Sequence, residues 1–468
     1  LAVQPTIRLS EVVSALSVAL DLTEGQPMGH AIRSCILGMR IADELGLSAE
    51  QRSDLYYALL LKDSGCSSNS ARLHQIMGSD DLQTKFEVKF EDWTRVSFSG
   101  VRYLSRNVLP GAPLHRRLLR MAKVAIKLKR NNAELIGARC ERGAQIARRI
   151  GLSEAAAEAI HSLDEHWDGG GFGEGRQGQE ISLLARIMNV SQTMEVFAAR
   201  GGALAAIRAV VQRRGRWFDP EIVRAAQSLE SDYSFWKTLD PAEMRRNVLA
   251  LEPGIAIPAT AQRIDDICLA FADVIDAKSP YTFNHSTGVA RASSAIADEL
   301  ALSPGVQVLV RRAALLHDVG KLGVSNAILE KPGKLTDEEW QVMKKHPTYT
   351  RLILQEISGF EHLAYVAAAH HERLDGKGYP DGLTAEQLTL PARIIAVADV
   401  FQALTEKRPY RESLPLEVVF GMMDKDVDTK LDRQCLAALK RRSQTADLVS
   451  STAANSSTEN ASALSAGA

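Results

Sequence analysis

Cysteine is scarce: five residues in 468, at Cys35, Cys66, Cys140, Cys268 and Cys435. An odd, scattered set with no CxxC pair excludes a disulfide framework and predicts reduced thiols in a cytoplasmic protein. Long apolar runs are missing too. None reaches the ~18–20 residues of a membrane span, and no signal peptide is evident, so no membrane contact is expected. Neither sign of charge is in excess. Lys and Arg number 56 against 57 Asp and Glu, a net charge of -1, which argues against bulk electrostatic capture of nucleic acid. Alternating β patterns are rare. What is present is ordinary globular composition, 45% hydrophobic and 24% charged, in a chain long enough for two domains.

Apolar residues recur at helical spacing almost throughout. Val12, Leu16 and Leu20 begin the pattern, Ile32, Leu37, Met39 and Ile41 continue it, and Ile264, Ile267, Leu269, Phe271, Val274 and Ile275 repeat it later. The spacing predicts an all-α protein. Leu251-Glu252-Pro253-Gly254, with Pro258, marks a linker over 246–260. Over 443–468 Ser, Thr, Ala and Asn replace the large apolar residues, and this tail is expected to be disordered.

An internal repeat organises the remainder. HAIRSCILGMRIADELGLS from His30 echoes HSTGVARASSAIADELALS from His285, and the spacings His30 to Asp63 and His285 to Asp318 are both 33 residues. DEHWDGGGFGEG from Asp164 echoes HERLDGKGYPDG from His371, and SLLARIMNVSQTMEVF from Ser182 echoes TLPARIIAVADVFQAL from Thr389. The offset is 255 residues in the first part and 207 in the rest, so the first copy carries a 48-residue insertion between Cys66 and Arg139. Two tandem helical domains are expected, over 1–245 and 261–442.

The second copy concentrates metal-ligand side chains. His285, His317, Asp318, His346, His370, His371 and Asp399 hold five of the eleven histidines. Imidazole and carboxylate without thiolate suit iron, manganese or zinc. Seven such groups exceed the needs of one ion and suggest two metals sharing a bridge, an arrangement suited to phosphate-ester hydrolysis. Lys321 lies four residues after His317, on the same face if that helix continues, and an ammonium there suits a phosphate oxygen. The first copy has lost this set. His30 and Asp63 persist, but Lys62 stands for His317, Cys66 for Lys321, Arg139 for His346, Leu163 for His370, Asp164 for His371 and Gln192 for Asp399. Fixed cations at ligand distance from a divalent ion cost several kcal/mol at an effective dielectric of ~20, so no metal is expected there. Gly169 and Gly171 remain as scaffold, and His30 and His166 read as structural. Arg213, Arg214 and Arg216 read as a solvated charge run.

His317-Asp318-Val319-Gly320-Lys321, LEKPGKLTDEEW from Leu329, His346-Pro347, HHERLDGKGYPDGL from His370 and ARIIAVADVFQALTEKRPYR ending at Arg411 together resemble the HD-GYP branch of the HD phosphohydrolase superfamily. The resemblance covers about 264–439. It implies an all-helical, metal-dependent phosphodiesterase whose usual substrate is cyclic di-GMP. By position, His285, His317, Asp318 and Asp399 are similar to the ligands of one metal. His346, His370 and His371 are similar to those of a second, with Asp318 bridging and a hydroxide between the ions as nucleophile. Lys321 is implied to steady a phosphate oxygen. Gly378, Tyr379 and Pro380 form the signature loop beside the pocket, and Arg408 and Arg411 match positions that contact phosphate or guanine. Taken without the family, Tyr379 is a packing residue and the two arginines a surface charge run. Two departures stand out. A Glu that in some members holds a third metal is Tyr281 here, so two divalent ions are expected, iron or manganese foremost. The Asp common three residues after the last metal Asp is Gln402 here.

The expectation is therefore a cytoplasmic phosphodiesterase that hydrolyses a cyclic dinucleotide, cyclic di-GMP foremost, to the linear dinucleotide and on to GMP, with its degenerate first copy regulatory or dimerising. A homodimer and signalling-protein partners are compatible with it; nucleic acid and membrane are not expected as partners. Two alternatives stay open: a signalling adaptor that binds cyclic di-GMP without turnover, and an HD phosphohydrolase of another nucleotide.

Overall fold

The computed structural model describes residues 7–94, 98–126, 128–171, 173–254, 257–280, 284–406 and 413–445. Tyr281, Arg408, Arg411 and residues 446–468 of the expected tail lie outside them. Among the described residues the chain is helical, with isolated bridges in place of strands. The all-α expectation holds because nearly every apolar stripe has the 3.6-residue period and finds another helix to cover it.

The repeat reappears in the helix boundaries. His30–Glu44 and Ala49–Leu61 in the first copy match His285–Glu299 and Pro304–Leu316 in the second, residue for residue at the 255 offset. The helices bearing the first histidine both start after a left-handed residue, Gly29 at φ 90° and Asn284 at φ 63°. Leu183–Gln212 and Leu390–Thr405 also begin in register, but the first runs longer across a break at Gly201-Gly202. The insertion between Cys66 and Arg139 forms its own helices, including Ser70–Met77, Phe98–Asn107 and Leu114–Ile126. They close over a small core of Met77, Val108 and Val124.

Two compact units interleave along the chain. One comprises Leu1–Pro280, Val319–Lys331 and Ile353–Phe360, the other Tyr281–Asp318, Pro332–Leu352 and Glu361–Ala468. This division differs from a cut at 246–260, and polar chemistry inside the first unit explains why. Glu252 accepts hydrogen bonds from Ser10 Oγ and Tyr57 Oη, both at 2.7 Å. Leu9 N donates to the Ile257 carbonyl, and Ala259 N to that of Ile7, each at 2.8 Å. The Pro/Gly segment is thus fastened to the N-terminal helices. Further on, the buried Lys278 ammonium lies 3.0 Å from Asp81, whose other oxygen accepts from Ser325 Oγ (3.1 Å) and Asn326 N (2.7 Å).

The arginine run also differs from its reading as solvated. Arg213 is buried and stacks over Phe197 and Trp217, 5.1 and 4.5 Å from their ring centroids. Arg216 pairs with Asp92 at 2.5 Å. Arg214 is exposed, as a charge run reads, but its two neighbours are taken up by the adjacent Trp217 and by Phe197 and Asp92 from earlier in the chain.

Candidate metal centre

Four helix ends and one helix flank in the second unit bring the ligand set together. His285 opens its helix, and His317 caps the end of Pro304–Leu316 with Asp318 next. His346 opens His346–Leu354, and His370 and His371 sit in the 3-10 turn Ala369–His371 that ends Glu361–Ala368. Asp399 comes from the flank of Leu390–Thr405. Helix ends suit ligands because the chain turns there and frees side chains to converge.

All seven expected ligands converge, and they sort into two groups. The ligand atoms of His285, His317 and Asp399 lie within 4.8 Å of one another, as do those of His346, His370 and His371. Asp318 stands between the groups. Its Oδ2 is 3.3 Å from His317 Nε2 and 3.7 Å from His285 Nε2. Its Oδ1 is 3.4 Å from His346 Nε2 and 3.5 Å from His370 Nε2. One carboxylate thus presents one oxygen to each group. Asp399 Oδ1 lies 3.2 Å from His285 Nε2, and its Oδ2 lies 3.9 Å from His371 Nδ1. Every ligand is buried except His371, which is partly exposed.

The tautomers fit a metal. Nδ1 of His317, His346 and His370 donates to the carbonyls of Ala314, Met343 and Ala367, each at 2.7 Å. Nδ1 of His285 donates to Glu406 Oε2 at 3.0 Å. A neutral imidazole has one N–H, so each of the four rings, in its neutral form, turns an Nε2 lone pair inward. Two of these, on His346 and His370, face each other at 3.2 Å. Opposed lone pairs at that distance repel unless a cation lies between them. The buried Nε2 atoms of His285 and His317 make no well-directed hydrogen bond. The electrostatics favour positive charge at this spot. Burial works against charge on His285, but Asp399 and Glu406 outweigh it and raise its pKa to about 10, so without a metal the ring holds a second proton that a bound ion would displace. Burial also opposes charge on Asp399, yet His285, His317 and His371 hold it well below the usual carboxylate range. His370 is pushed down to about 4 by burial and by His317, which keeps it neutral, as a ligand must be.

The signature loop packs beside His371. The Tyr379 ring lies 4.8 Å from that imidazole, and Tyr379 N donates to the His371 carbonyl at 3.2 Å. The buried Glu372 holds the loop by accepting the N–H groups of Asp381, Gly382 and Leu383 at 2.7, 3.2 and 2.9 Å. A Cβ on Gly378 would fall 2.4 Å from Glu372 Cα, so only glycine fits that turn. Pro380 follows a cis peptide bond. Lys321 does not continue the helix of His317: the α-helix stops at Leu316, and Lys321 stands in the 3-10 turn Val319–Gly323.

Sequence reading missed three residues near these groups. Trp340 meets Tyr379 edge-on at 6.0 Å, and the Lys344 ammonium stands 5.6 Å from the Tyr379 ring. Trp340 closes the motif LEKPGKLTDEEW and Lys344 lies between it and His346-Pro347, but neither was singled out. The third is Glu406.

The first copy is filled by its own cations. Lys62 Nζ donates to His30 Nε2 at 2.9 Å and pairs with Asp63. Arg139 and Asp164, which replace His346 and His371, bind each other at 2.5 Å. Glu24, Asp63 and Cys66 also converge, but Lys89 and Lys85 stand 3.1 and 3.4 Å from Glu24. Burial opposes the Glu24 charge, and these ammoniums overcome it. The negative charge a metal would need is already spoken for.

Comparison with known proteins agrees with this geometry. A family model described as an HD domain matches residues 113–222 and 270–435. The chain is 43% identical over 442 residues to the 3′3′-cGAMP-specific phosphodiesterase 3 of Vibrio cholerae serotype O1, covering 94% of this chain and 95% of that protein. It is 42% identical over 151 residues to the cyclic di-GMP phosphodiesterase response regulator RpfG of Xanthomonas campestris, covering 31% of this chain and 39% of that one. A crystal structure of a cyclic GMP-AMP specific phosphodiesterase in V. cholerae superposes with a TM-score of 0.65 at 38% identity, covering 94% of this chain and 98% of that one. The family match, the near-full-length relative and the two-group cluster of imidazoles and carboxylates agree, and the chain belongs to the HD-domain family, in its HD-GYP branch of metal-dependent phosphodiesterases.

Proposed function

We propose that the chain hydrolyses the phosphodiester of a cyclic dinucleotide at a two-metal centre, with 3′3′-cGAMP as its substrate. The observation that carries the substrate is the extent of likeness: the cGAMP-specific relative aligns along 94% of the chain. Relatives named for cyclic di-GMP reach similar identity over about a third of it or less. Cyclic di-GMP is the second reading, favoured by the 43% identity, over 133 residues, of a cyclic di-GMP phosphodiesterase from Pseudomonas aeruginosa.

His285, His317, Asp318 and Asp399 would hold one ion, and His346, His370, His371 and Asp318 the other. Such ions supply Lewis-acid charge and acidify a bound water. Asp318, which presents one carboxylate oxygen to each group, would be shared by both sites. Lys321 would steady a non-bridging phosphate oxygen as charge builds on it. Tyr379 and Trp340 offer an aromatic edge for a purine base, with Gly378 and Pro380 shaping the loop. Arg408 and Arg411 remain expected phosphate or guanine contacts. The first copy, with its cations built in, serves as a non-catalytic, regulatory scaffold. A cytoplasmic location fits a soluble nucleotide substrate; no described helix is long and apolar enough to cross a membrane.

The test is turnover by purified protein loaded with Mn²⁺ or, anaerobically, Fe²⁺. Wild type should cleave 3′3′-cGAMP at least tenfold faster than cyclic di-GMP, and Asp318→Ala should lose at least a thousandfold. Preference for cyclic di-GMP would reverse the substrate assignment. Metal-loaded protein that binds either nucleotide without cleaving it would make the chain an adaptor.

A further inference from the structure

The two copies hold their first histidine in different ways. His317, His346 and His370 lean on backbone carbonyls, whereas His285 and His30 each donate Nδ1–H to a glutamate. In the first copy that glutamate is Glu195, which Arg33 Nε also holds at 2.7 Å. In the second it is Glu406. These residues do not correspond. At the 207 offset Glu195 matches Gln402, and Glu406 matches Ala199. The carboxylate has moved four residues, one helical turn, along equivalent helices.

Two further exchanges accompany the move. Gln402, in the last turn of its helix, donates Nε2 at 2.7 Å to Oε1 of Glu406, the residue that caps that helix four positions on. Arg33, which holds the carboxylate in the first copy, corresponds to Gly288 in the second. A Cβ on Gly288 would fall 2.3 to 2.5 Å from the Gln402 amide atoms, so that amide lies directly on the Gly288 backbone. Arg, Glu and Ala at the three positions of one copy become Gly, Gln and Glu in the other.

We propose that Glu406 is a positioning residue for His285 as a metal ligand, and that Gln402, seated on Gly288, holds Glu406 in place. The proposal rests on the metal centre described above. Glu406 takes the Nδ1 proton, which fixes the tautomer, orients the ring and leaves the Nε2 lone pair facing Asp318 and Asp399. Gln402, where relatives of the family carry an Asp, is then a working part of the site: an amide there can donate to the displaced carboxylate, while a second carboxylate would repel it.

The experiment measures metal affinity in the full chain, by Mn²⁺ titration followed by the EPR signal of free ion, beside the melting temperature of metal-free protein. Glu406→Ala should weaken one of the bound ions by ~10–100-fold, the usual cost of losing a histidine-orienting partner. Its metal-free melting temperature should change little. Gln402→Glu/Glu406→Ala, which returns the carboxylate to its place in the first copy, should recover at least tenfold of that loss. Wild-type affinity in Glu406→Ala, or a double variant as weak as the single one, overturns the proposal. If Glu406→Ala does not fold, Glu406→Gln against Gln402→Glu/Glu406→Gln makes the same comparison. Wild type and Asp318→Ala report on the metal centre itself: equal metal uptake in those two sinks the underlying reading, whatever Glu406 does.

Discussion

His166 shows what a single residue gains from its surroundings. Its ring packs against Trp93 and Trp217, 4.9 and 4.3 Å from their centroids, which also meet each other at 5.1 Å, and its Nδ1 makes no hydrogen bond. Burial outweighs the nearby Asp164 and Asp168 and pushes its pKa down to about 4. In the unfolded chain an imidazole titrates near 6.5. A folded pKa below the unfolded one means that the fold favours the neutral ring. That stability is complete above pH 6.5 and drains away as pH falls through 6.5 toward 4, on the order of 3 kcal/mol in full. His30 is lowered to about 4 by burial and by Lys62, and its contribution runs the same way. His166→Phe keeps a ring in the stack and removes one titration. Its urea midpoint should fall less than that of wild type between pH 7 and 4.5. Parallel losses in the two proteins would show that His166 does not titrate with folding. Its structural role was legible, since nothing in the ligand order claimed it, but the tryptophans 73 positions before and 51 after it were not.

At the scale of elements, the two helices that present the first histidine depend on the residue before them. Asn284 sits at φ 63°, a left-handed conformation that glycine enters freely, asparagine tolerates and β-branched residues resist. Gly29 has the same part in the first copy. Asn284→Gly should alter stability by less than ~0.5 kcal/mol, whereas Asn284→Val should cost ~1–2 kcal/mol. Because His285 is the next residue, the valine variant should also bind Mn²⁺ more weakly; thermal melts and metal titration of both variants check this. Equal behaviour of the two would mean that the helix start is not what aims His285. Helix boundaries and ligand order were readable because each copy carries its own apolar stripes and fixed spacings. A matching clamp was not. Arg186 holds Asp219 at 2.5 Å, and Arg393 holds Asp432 at 3.0 Å. The arginines keep the 207 offset, but the aspartates lie 213 apart, because the connection after the first copy's long helix differs in length. Glu406 escaped for a related reason: the family pattern drew attention to position 402, and the carboxylate had moved one turn on.

For the whole molecule, the repeat suggests two pieces that could be cut apart, but the compact units are interleaved. Residues after 245 supply the first unit with three segments: those ending at Pro280, Lys331 and Phe360. Lys278 is the clearest case. It is buried, its partner Asp81 lies 197 residues earlier, and Asp81 also accepts from Ser325 and Asn326. Burial lowers the Lys278 pKa against the pull of Asp81, so the ammonium is costly without that carboxylate. Removing one partner of a buried pair costs ~3–5 kcal/mol, because the other charge stays uncompensated. Asp81→Ala should therefore lower stability in urea by about that amount, although Asp81 is no metal ligand. A chain trimmed to 246–468 suffers a larger version of the same loss. It keeps Lys278, Ser325 and Asn326 but loses Asp81, along with the Ser10 and Tyr57 hydroxyls that fasten Glu252. It should show no sharp thermal transition and should aggregate on heating. A trimmed chain that melts cooperatively near the full-length temperature and still takes up two Mn²⁺ ions would mean that the second copy is self-sufficient. The first copy would then influence the enzyme by regulation alone, and not by completing its fold.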